Sequence, residues 1–315
     1  MSYFLSICIP TYNGGENLKY NVNKLIKMQP EFGFEVCVSD NASDDGTQEF
    51  MKNIIDKYDF VKYYRHEGNY GFSYNLDYVL NMANGKYRWS LGDDDEINSN
   101  SLKKVIDLLQ LREPSICVVN GCTPKNVKRV NGLQTKIYDD KNVILSILGE
   151  HMAWISALIF HHLTIKNLNI KNIADNALPH MIEIFKFLSN TCNLLFINEI
   201  CVSSQENAHI RYNDKILKYL IKDWYNVITF LKEYNDSAKK IYLGAIIKRV
   251  FTNKAILVLR SKNIINKQNI NEVRGELKHY PLSFRIKMNL IVYIPYKTLD
   301  KFYNIYKIVK YYAKS

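Results

Sequence analysis

The chain has 315 residues, 47% hydrophobic and 23% charged, enough for one large domain or two ordinary ones with a substantial core. Its 13 Gly, 7 Pro and 6 Cys exclude collagen-like, disulfide-dense and wholly disordered classes. The net charge of +11 divides unevenly: residues 1–210 carry 20 basic and 24 acidic side chains, and residues 211–315 carry 22 basic and 7 acidic. Two regions with different tasks are therefore expected, 1–210 and 211–315.

Phe4–Ile9 is a short apolar run closed by Pro10, and Leu18–Met28 has helical spacing. Phe34–Ser39 reads as a second buried strand, followed by the polar turn Asp40-Asn41-Ala42-Ser43-Asp44-Asp45-Gly46. Thr47–Tyr58 is predicted helical, Val61–Arg65 a third strand, and Ser73–Asn84 a helix stopped by Gly85. Tyr87–Leu91 is a fourth strand running into Gly92-Asp93-Asp94-Asp95, with a helix over Ser99–Leu111 and a strand over Ser115–Asn120. Apolar strands alternating with helices predict an open α/β fold, its sheet parallel and covered on both faces. Asn131-Gly132 reads as a hairpin turn. Further on, Lys141–Leu148 and Met181–Asn190 look helical, and Met152–Phe160 and Leu194–Val202 look extended. Beyond Arg211 long amphipathic runs, Ile216–Tyr234 and Ala238–Leu259, predict a helical C-terminal region.

None of Cys8, Cys37, Cys117, Cys122, Cys192 and Cys201 forms a C-x-x-C, so small buried thiols in a reducing compartment are expected. The first ten residues lack a basic segment and read as a strand, and no window approaches ~18 uninterrupted apolar residues. A cytoplasmic protein is expected, or one lying on the cytosolic face of a membrane.

In open parallel sheets ligands sit beyond the carboxyl ends of the strands. Here those ends carry Pro10-Thr11-Tyr12-Asn13, Asp40-Asn41 and Asp93-Asp94-Asp95. Three consecutive carboxylates repel one another, and an oxygen-rich cluster suits Mg²⁺ or Mn²⁺, which bridges phosphate oxygens. The plainer alternative is the start of the helix near Ser99, where acidic residues are favourable. Strand one is not followed by G-x-G-x-x-G, and G-x-x-x-x-G-K-[ST] is absent. A nucleotide would therefore be held by side chains and a metal.

Four segments together carry a resemblance: Ser-Ile-Cys-Ile-Pro-Thr-Tyr-Asn (6–13), Glu-Val-Cys-Val-Ser-Asp-Asn-Ala-Ser-Asp-Asp-Gly-Thr (35–47), Gly-Asn-Tyr-Gly-Phe-Ser-Tyr-Asn (68–75) and Ala-Asn-Gly-Lys-Tyr-Arg-Trp-Ser-Leu-Gly-Asp-Asp-Asp (83–95). In order and spacing they resemble family 2 glycosyltransferases of the GT-A fold over about the first 120 residues. The resemblance implies a Rossmann-like open mixed sheet with helices on both faces over 1–210. It also implies an inverting transfer of a sugar from a nucleotide-sugar in bacterial surface polysaccharide synthesis; Asp40 suits a pyrimidine base, so a UDP-sugar is favoured, and the expected acceptor is a glycan or a lipid-linked glycan. By position, Pro10, Thr11 and Tyr12 would line the base pocket, Asp40 would hydrogen-bond the base, Asn41 would belong to the nucleotide-sugar site, and Asn75 would lie along the nucleotide. Asp93 would face the ribose or donor sugar, Asp94 would belong with it to the nucleotide-sugar site, and Asp95 would bind Mn²⁺ or Mg²⁺. Asp40 has an alternative as a cap for the helix at Thr47.

Inversion needs a base for the acceptor hydroxyl. The acidic pair usual in the family is replaced here by Pro179-His180, which leaves His180 as the base, with Asp175 the carboxylate alternative and a helix-start histidine the plain one. His209 is a second candidate near the metal, and His151, Trp154 and Ser156 form an acceptor-side loop, although a packed Trp explains Trp154 equally. His161-His162 lacks the i,i+4 spacing of a metal pair. The basic, Tyr-rich tail fits an anionic membrane surface, a homo-oligomer contact or a solvated helix face. No nucleic-acid motif accompanies it. A non-catalytic sugar-nucleotide or glycan-binding module is the competing reading.

Overall fold

The computed structural model describes residues 3–123, 126–172, 178–204 and 216–301. The chain divides into two compact units, residues 1–209 and 210–315.

The first unit is built on a nine-stranded mixed sheet whose strands lie in the order Val61–Arg65, Glu35–Asp40, Leu5–Thr11, Tyr87–Ser90, Leu158–His161, Ile116–Cys122, Leu194–Ser204 and Asp95–Ile97, with Lys136–Tyr138 also paired to Leu194–Ser204. Its first half comprises β1 (Leu5–Thr11), α1 (Gly15–Phe32), β2 (Glu35–Asp40), α2 (Thr47–Ile55), β3 (Val61–Arg65), α3 (Phe72–Met82) and β4 (Tyr87–Ser90). Every residue of β1 and β2 is buried, which is why their apolar runs are nearly unbroken instead of alternating. β1 pairs in parallel with β2 and β4, and β2 with β3. The chain steps outward from β1 to β3 and then returns to β4 on the other side of β1. Right-handed crossovers therefore place α1 and α2 on one face and α3 on the other. The core that Leu18, Val22, Leu25, Met51 and Ile54 share with the sheet contains no α3 residue. The reversal opens a crevice beyond the carboxyl ends of β1 and β4.

β5 (Asp95–Ile97), α4 (Ser99–Arg112), β6 (Ile116–Cys122), β7 (Lys136–Tyr138), α5 (Lys141–Leu148), β8 (Leu158–His161), α6 (His162–Ile165), α7 (Pro179–Asn190) and β9 (Leu194–Ser204) complete this unit. β8 runs antiparallel between β4 and β6, which makes the expected parallel sheet a mixed one. Asn131-Gly132 is not the turn of a hairpin: β7 pairs with β9, not with β6. Met152–Phe160 is mostly not extended, because two 3-10 turns, His151–Ala153 and Ile155–Ala157, precede β8. All six cysteines are free thiols and five are buried.

The second unit is helical: α8 (Ile216–Lys218) runs through a π-helical turn, Tyr219–Asp223, into α9 (Trp224–Phe230). α10 (Asp236–Val250), α11 (Asn253–Ser261), α12 (Lys267–Glu272), α13 (Arg274–Leu277) and α14 (Leu282–Ile291) follow. The long run expected over Ala238–Leu259 is two helices, because the Thr252 hydroxyl accepts from the Ala255 amide at 3.2 Å and starts α11 afresh. Trp224, Val227, Tyr242, Ile246, Leu259, Tyr280 and Met288 are buried within this unit's described residues.

Candidate functional site

The crevice is built from side chains that cross between strand ends. Thr11, the last residue of β1, donates its hydroxyl to Asp93 Oδ2 at 2.6 Å. Asn21, nearly two turns into α1, donates to the carbonyls of Asp93 (2.8 Å) and Asp95 (2.6 Å) and so fixes the acidic triplet by its backbone. Asp95 Oδ2 accepts from Trp154 Nε1 and from the Ser156 hydroxyl, each at 2.5 Å. Ser156 Oγ in turn accepts from the Gly92 amide at 2.8 Å. The triplet is not a helix cap, since Asn98 caps α4 and Asp95 begins β5.

Burial pushes the carboxyls of Asp93 and Asp95 up to about 6, against the pull of their hydroxyl donors, and the Asp94 charge between them adds to the rise. The turn before α1 presses close: a Cβ on Gly14 would lie 2.5 Å from Thr11 Oγ1 and 2.7 Å from Asp93 Oδ2. Gly14 is thus required by the approach of backbone to carboxylate. Beside it the Tyr12 ring is 44% exposed at the mouth of the crevice, while Pro10 is buried in β1.

Asp40 is fully buried and saturated by its own chain. Its Oδ1 accepts from the Ser43 amide (2.9 Å) and hydroxyl (2.5 Å), its Oδ2 accepts from Tyr63 at 2.7 Å, and the Arg65 guanidinium stands 3.7 Å away. It ties down the β2–α2 turn instead of presenting an open acceptor, and it does not cap α2, whose N-cap is Gly46. Asn41 spans the turn to residues 69–71: its Nδ2 donates to Asn69 Oδ1 at 2.7 Å, and its Oδ1 accepts from the Tyr70 amide at 2.9 Å. Asn75 donates to the Thr11 carbonyl at 3.1 Å and accepts from Ser39 at 2.6 Å, which ties α3 to the ends of β1 and β2. Both asparagines are buried and bonded within the chain.

His180, in the first turn of α7, is 1% exposed and stands edge-on to the Phe72 ring at 6.1 Å. Burial pulls its imidazole down to about 4, although the Ala153 and Met152 backbone favours the protonated form. Asp175 and His209 lie outside the described residues. Of the acceptor-side trio, Trp154 and Ser156 meet Asp95 directly, whereas His151 turns away, its Nε2 lying 2.9 Å from the Val119 carbonyl oxygen. The Trp154 ring packs over Gly121, with the Arg129 guanidinium 4.2 Å from its centroid.

Asn21, Ser43, Tyr63 and Arg129 join the site without having been anticipated. A signal existed only for Asn21, a polar residue on the apolar stripe of Leu18, Val22 and Leu25. A separate cleft of about 440 Å³, lined by Lys86, Glu113, His161 and Thr191 among others, lies at the amino-terminal ends of β4 and β6. Lys86 and Glu113 neutralise each other there.

Among the described residues no group of three or more His, Cys, Asp or Glu converges to hold a metal ion unaided. Mg²⁺ and Mn²⁺ sites of the phosphate-bridging kind need only one or two carboxylates, the rest being phosphate oxygens and water. Two carboxyls with raised affinity for a positive charge, Asp95 buried and Asp93 half-buried, are both hard oxygen donors and fit a cation shared with a diphosphate.

The sequence signature described as "Glycosyl transferase family 2" matches residues 6–164. The abequosyltransferase RfbV of Salmonella typhimurium is 41% identical over 101 residues, 31% of this chain and 30% of that protein. The GalNAc(5)-diNAcBac-PP-undecaprenol beta-1,3-glucosyltransferase of Campylobacter jejuni is 33% identical over 104 residues, 32% of this chain and 33% of that protein. The chain thus spans about a third of the length of each of these curated relatives. S. aureus TarS 1–349 in complex with UDP-GlcNAc superposes with a TM-score of 0.57 at 15% identity, covering 95% of this chain and 91% of that one, a likeness of fold.

Proposed function

This chain belongs to glycosyl transferase family 2, and from that membership we propose an inverting, metal-dependent transfer of a sugar from a nucleoside-diphosphate sugar to a glycan hydroxyl. The observation that carries the proposal is the pair Asp93, half-buried, and Asp95, buried, at the switch between β1 and β4, with their carboxyls pushed up to about 6. Tyr12 offers an exposed ring for the base beside buried Pro10 and Thr11. Asp40, Asn41 and Asn75 shape that pocket by tying the β2–α2 turn, residues 69–71 and α3 to it. Asp93 faces the ribose or donor sugar. Asp95 would hold Mn²⁺ or Mg²⁺, with Asp94 adding charge and His209 a candidate further ligand. When bound, the cation offsets the charge that gathers on the leaving diphosphate.

The acceptor oxygen attacks the anomeric carbon, the bond to the diphosphate breaks on the opposite side, and the acceptor proton passes to a base. His180 is neutral at physiological pH and is the base we favour, with Asp175 the alternative. Trp154 and Ser156 border the acceptor side and hold Asp95 in place, and His151 supports that turn. The acceptor is a lipid-carried glycan in surface polysaccharide synthesis, in keeping with the undecaprenol-linked substrate in the C. jejuni relative's name. A UDP-sugar is the favoured donor, in keeping with the UDP-GlcNAc bound by the structural neighbour.

The test is release of nucleoside diphosphate from a panel of nucleotide sugars with and without Mn²⁺. Turnover that needs the cation and is lost in Asp95→Ala upholds the proposal; no turnover with any donor defeats it. One observation favours a non-catalytic binding module instead: His180 is 1% exposed, so an acceptor reaches it only after rearrangement. His180→Gln separates the two readings. Loss of turnover with an unchanged donor-induced thermal shift marks a base. A thermal shift with nucleotide but no turnover in the unaltered protein marks a binding module.

A further inference from the structure

Among the described residues, α14 has two apolar faces and only one of them is covered. Phe284, Met288 and Ile291 are buried. Leu282, Ile286 and Leu290 are 63%, 50% and 62% exposed, and Tyr293, just past the helix, is 70% exposed. At about 100° per residue these three aliphatic side chains form a stripe about 80° wide, diametrically opposite the buried face. Arg285 and Lys287 fall about 100° to either side of the stripe's centre, one on each flank. The Lys287 ammonium donates to Asn253 Oδ1 at 2.8 Å and keeps its charge at the surface. Lys278, Lys297 and Lys301, before and after α14 in the chain, are also exposed. Tyr293 lies 4.8 Å from the Lys267 ammonium, and Arg260 stands 5.8 Å over the Tyr296 ring.

We propose that this face of α14 docks on an anionic lipid bilayer. An apolar stripe with a basic side chain on each flank and tyrosines at its end matches the layering of a membrane interface, where aliphatic groups enter the acyl region and cations meet headgroup phosphates. Tyrosine, with an apolar ring and a polar tip, favours the boundary between them. Charge selects lipid over a second copy of the chain, since residues 211–315 carry 22 basic against 7 acidic side chains and two such regions face to face repel. No helix among the described residues is long and apolar enough to cross a membrane, so attachment through α14 is in-plane and reversible. The inference deepens the transferase reading, because a lipid-carried acceptor is met at a membrane, but its readout is binding.

The experiment is flotation of the full chain with vesicles of phosphatidylcholine, alone or mixed with phosphatidylglycerol. Binding is expected only to the mixed vesicles and should fall as salt rises. Leu282→Ser/Ile286→Ser/Leu290→Ser, which leaves the charge unchanged, should lower partitioning about tenfold or more. Its circular dichroism should match the unaltered chain. Leu290→Trp, a substitution at an exposed site that spares the fold, should add a blue-shifted emission on anionic vesicles. Absence of flotation, equal flotation of the triple variant, or equal binding to neutral vesicles would overturn the proposal. A dimer in solution that the triple variant dissociates would assign the face to a second copy instead. Flotation without turnover would uphold docking and remove the transferase reading; turnover on a soluble acceptor without flotation would do the reverse.

Discussion

Asp93 and Asp95 are ionisable groups whose surroundings favour the neutral form. Each has a carboxyl raised from 3.8 to about 6 by burial, so the folded chain binds protons more tightly there than the unfolded chain does. The stability this provides is complete below the unfolded value and is lost as pH rises through about 6. At neutral pH each carboxylate therefore costs the fold on the order of 3 kcal/mol unless a cation sits beside it. Asp95→Asn keeps an oxygen to accept from Trp154 and Ser156 and removes the charge. In metal-free buffer we expect this variant to melt above the unaltered protein at pH 7.5, with the gap closing towards pH 4. His180 works in the other direction, its stabilising effect present above 6.5 and lost as pH falls through about 4, but it is common to both proteins and cancels in the difference. A gap that persists at pH 4 would mean that lost packing, not charge, separates the two.

At the scale of elements, the β1–α1 turn and the 151–157 segment do most to shape the crevice. Gly14→Ala would place a methyl group against Thr11 Oγ1 and Asp93 Oδ2, at 2.5 and 2.7 Å. Either the turn or the Thr11–Asp93 bond must yield, at a cost of about 1–3 kcal/mol. Donor affinity measured by titration should fall with stability, whereas Gly68→Ala, with nothing within 4 Å of the new methyl, should leave both unchanged.

The same elements show what a linear reading captures. β1 and β2 are legible because both of their faces are covered, which leaves an apolar run in the chain. The acidic triplet is legible because three carboxylates after a buried strand have few structural uses. Met152–Phe160 is misread as extended because Trp154 and Ser156 fold back to Asp95, about sixty residues earlier in the chain, and no local propensity encodes that contact. The saturation of Asp40 depends on Tyr63, a strand away. The break before α11 rests on one threonine cap within a run whose hydrophobic periodicity continues across it.

At the scale of the molecule, the two compact units each carry a core of their own. Leu18, Val22, Val38, Trp89 and Ile197 pack about the sheet, and Trp224, Tyr242, Ile246, Tyr280 and Met288 are buried among the helices beyond residue 210. Separate cores favour separate cooperative transitions, since two-state unfolding is a property of single domains. The proposed donor site lies wholly within the first unit, because Thr11, Asn21, Asp93, Asp95, Trp154 and Ser156 all precede residue 209. A ligand that binds only the folded form stabilises it by about 2.7 kcal/mol at a hundredfold excess over its dissociation constant. Scanning calorimetry of the full chain should therefore resolve two transitions. Nucleoside diphosphate with Mn²⁺ should raise one of them and leave the other in place, and Asp95→Ala should abolish that selective shift. A single transition that moves as a whole would show that the helical region unfolds together with the sheet. In that case a substitution in its core, such as Met288→Ala, would weaken donor binding at temperatures close to the melting point.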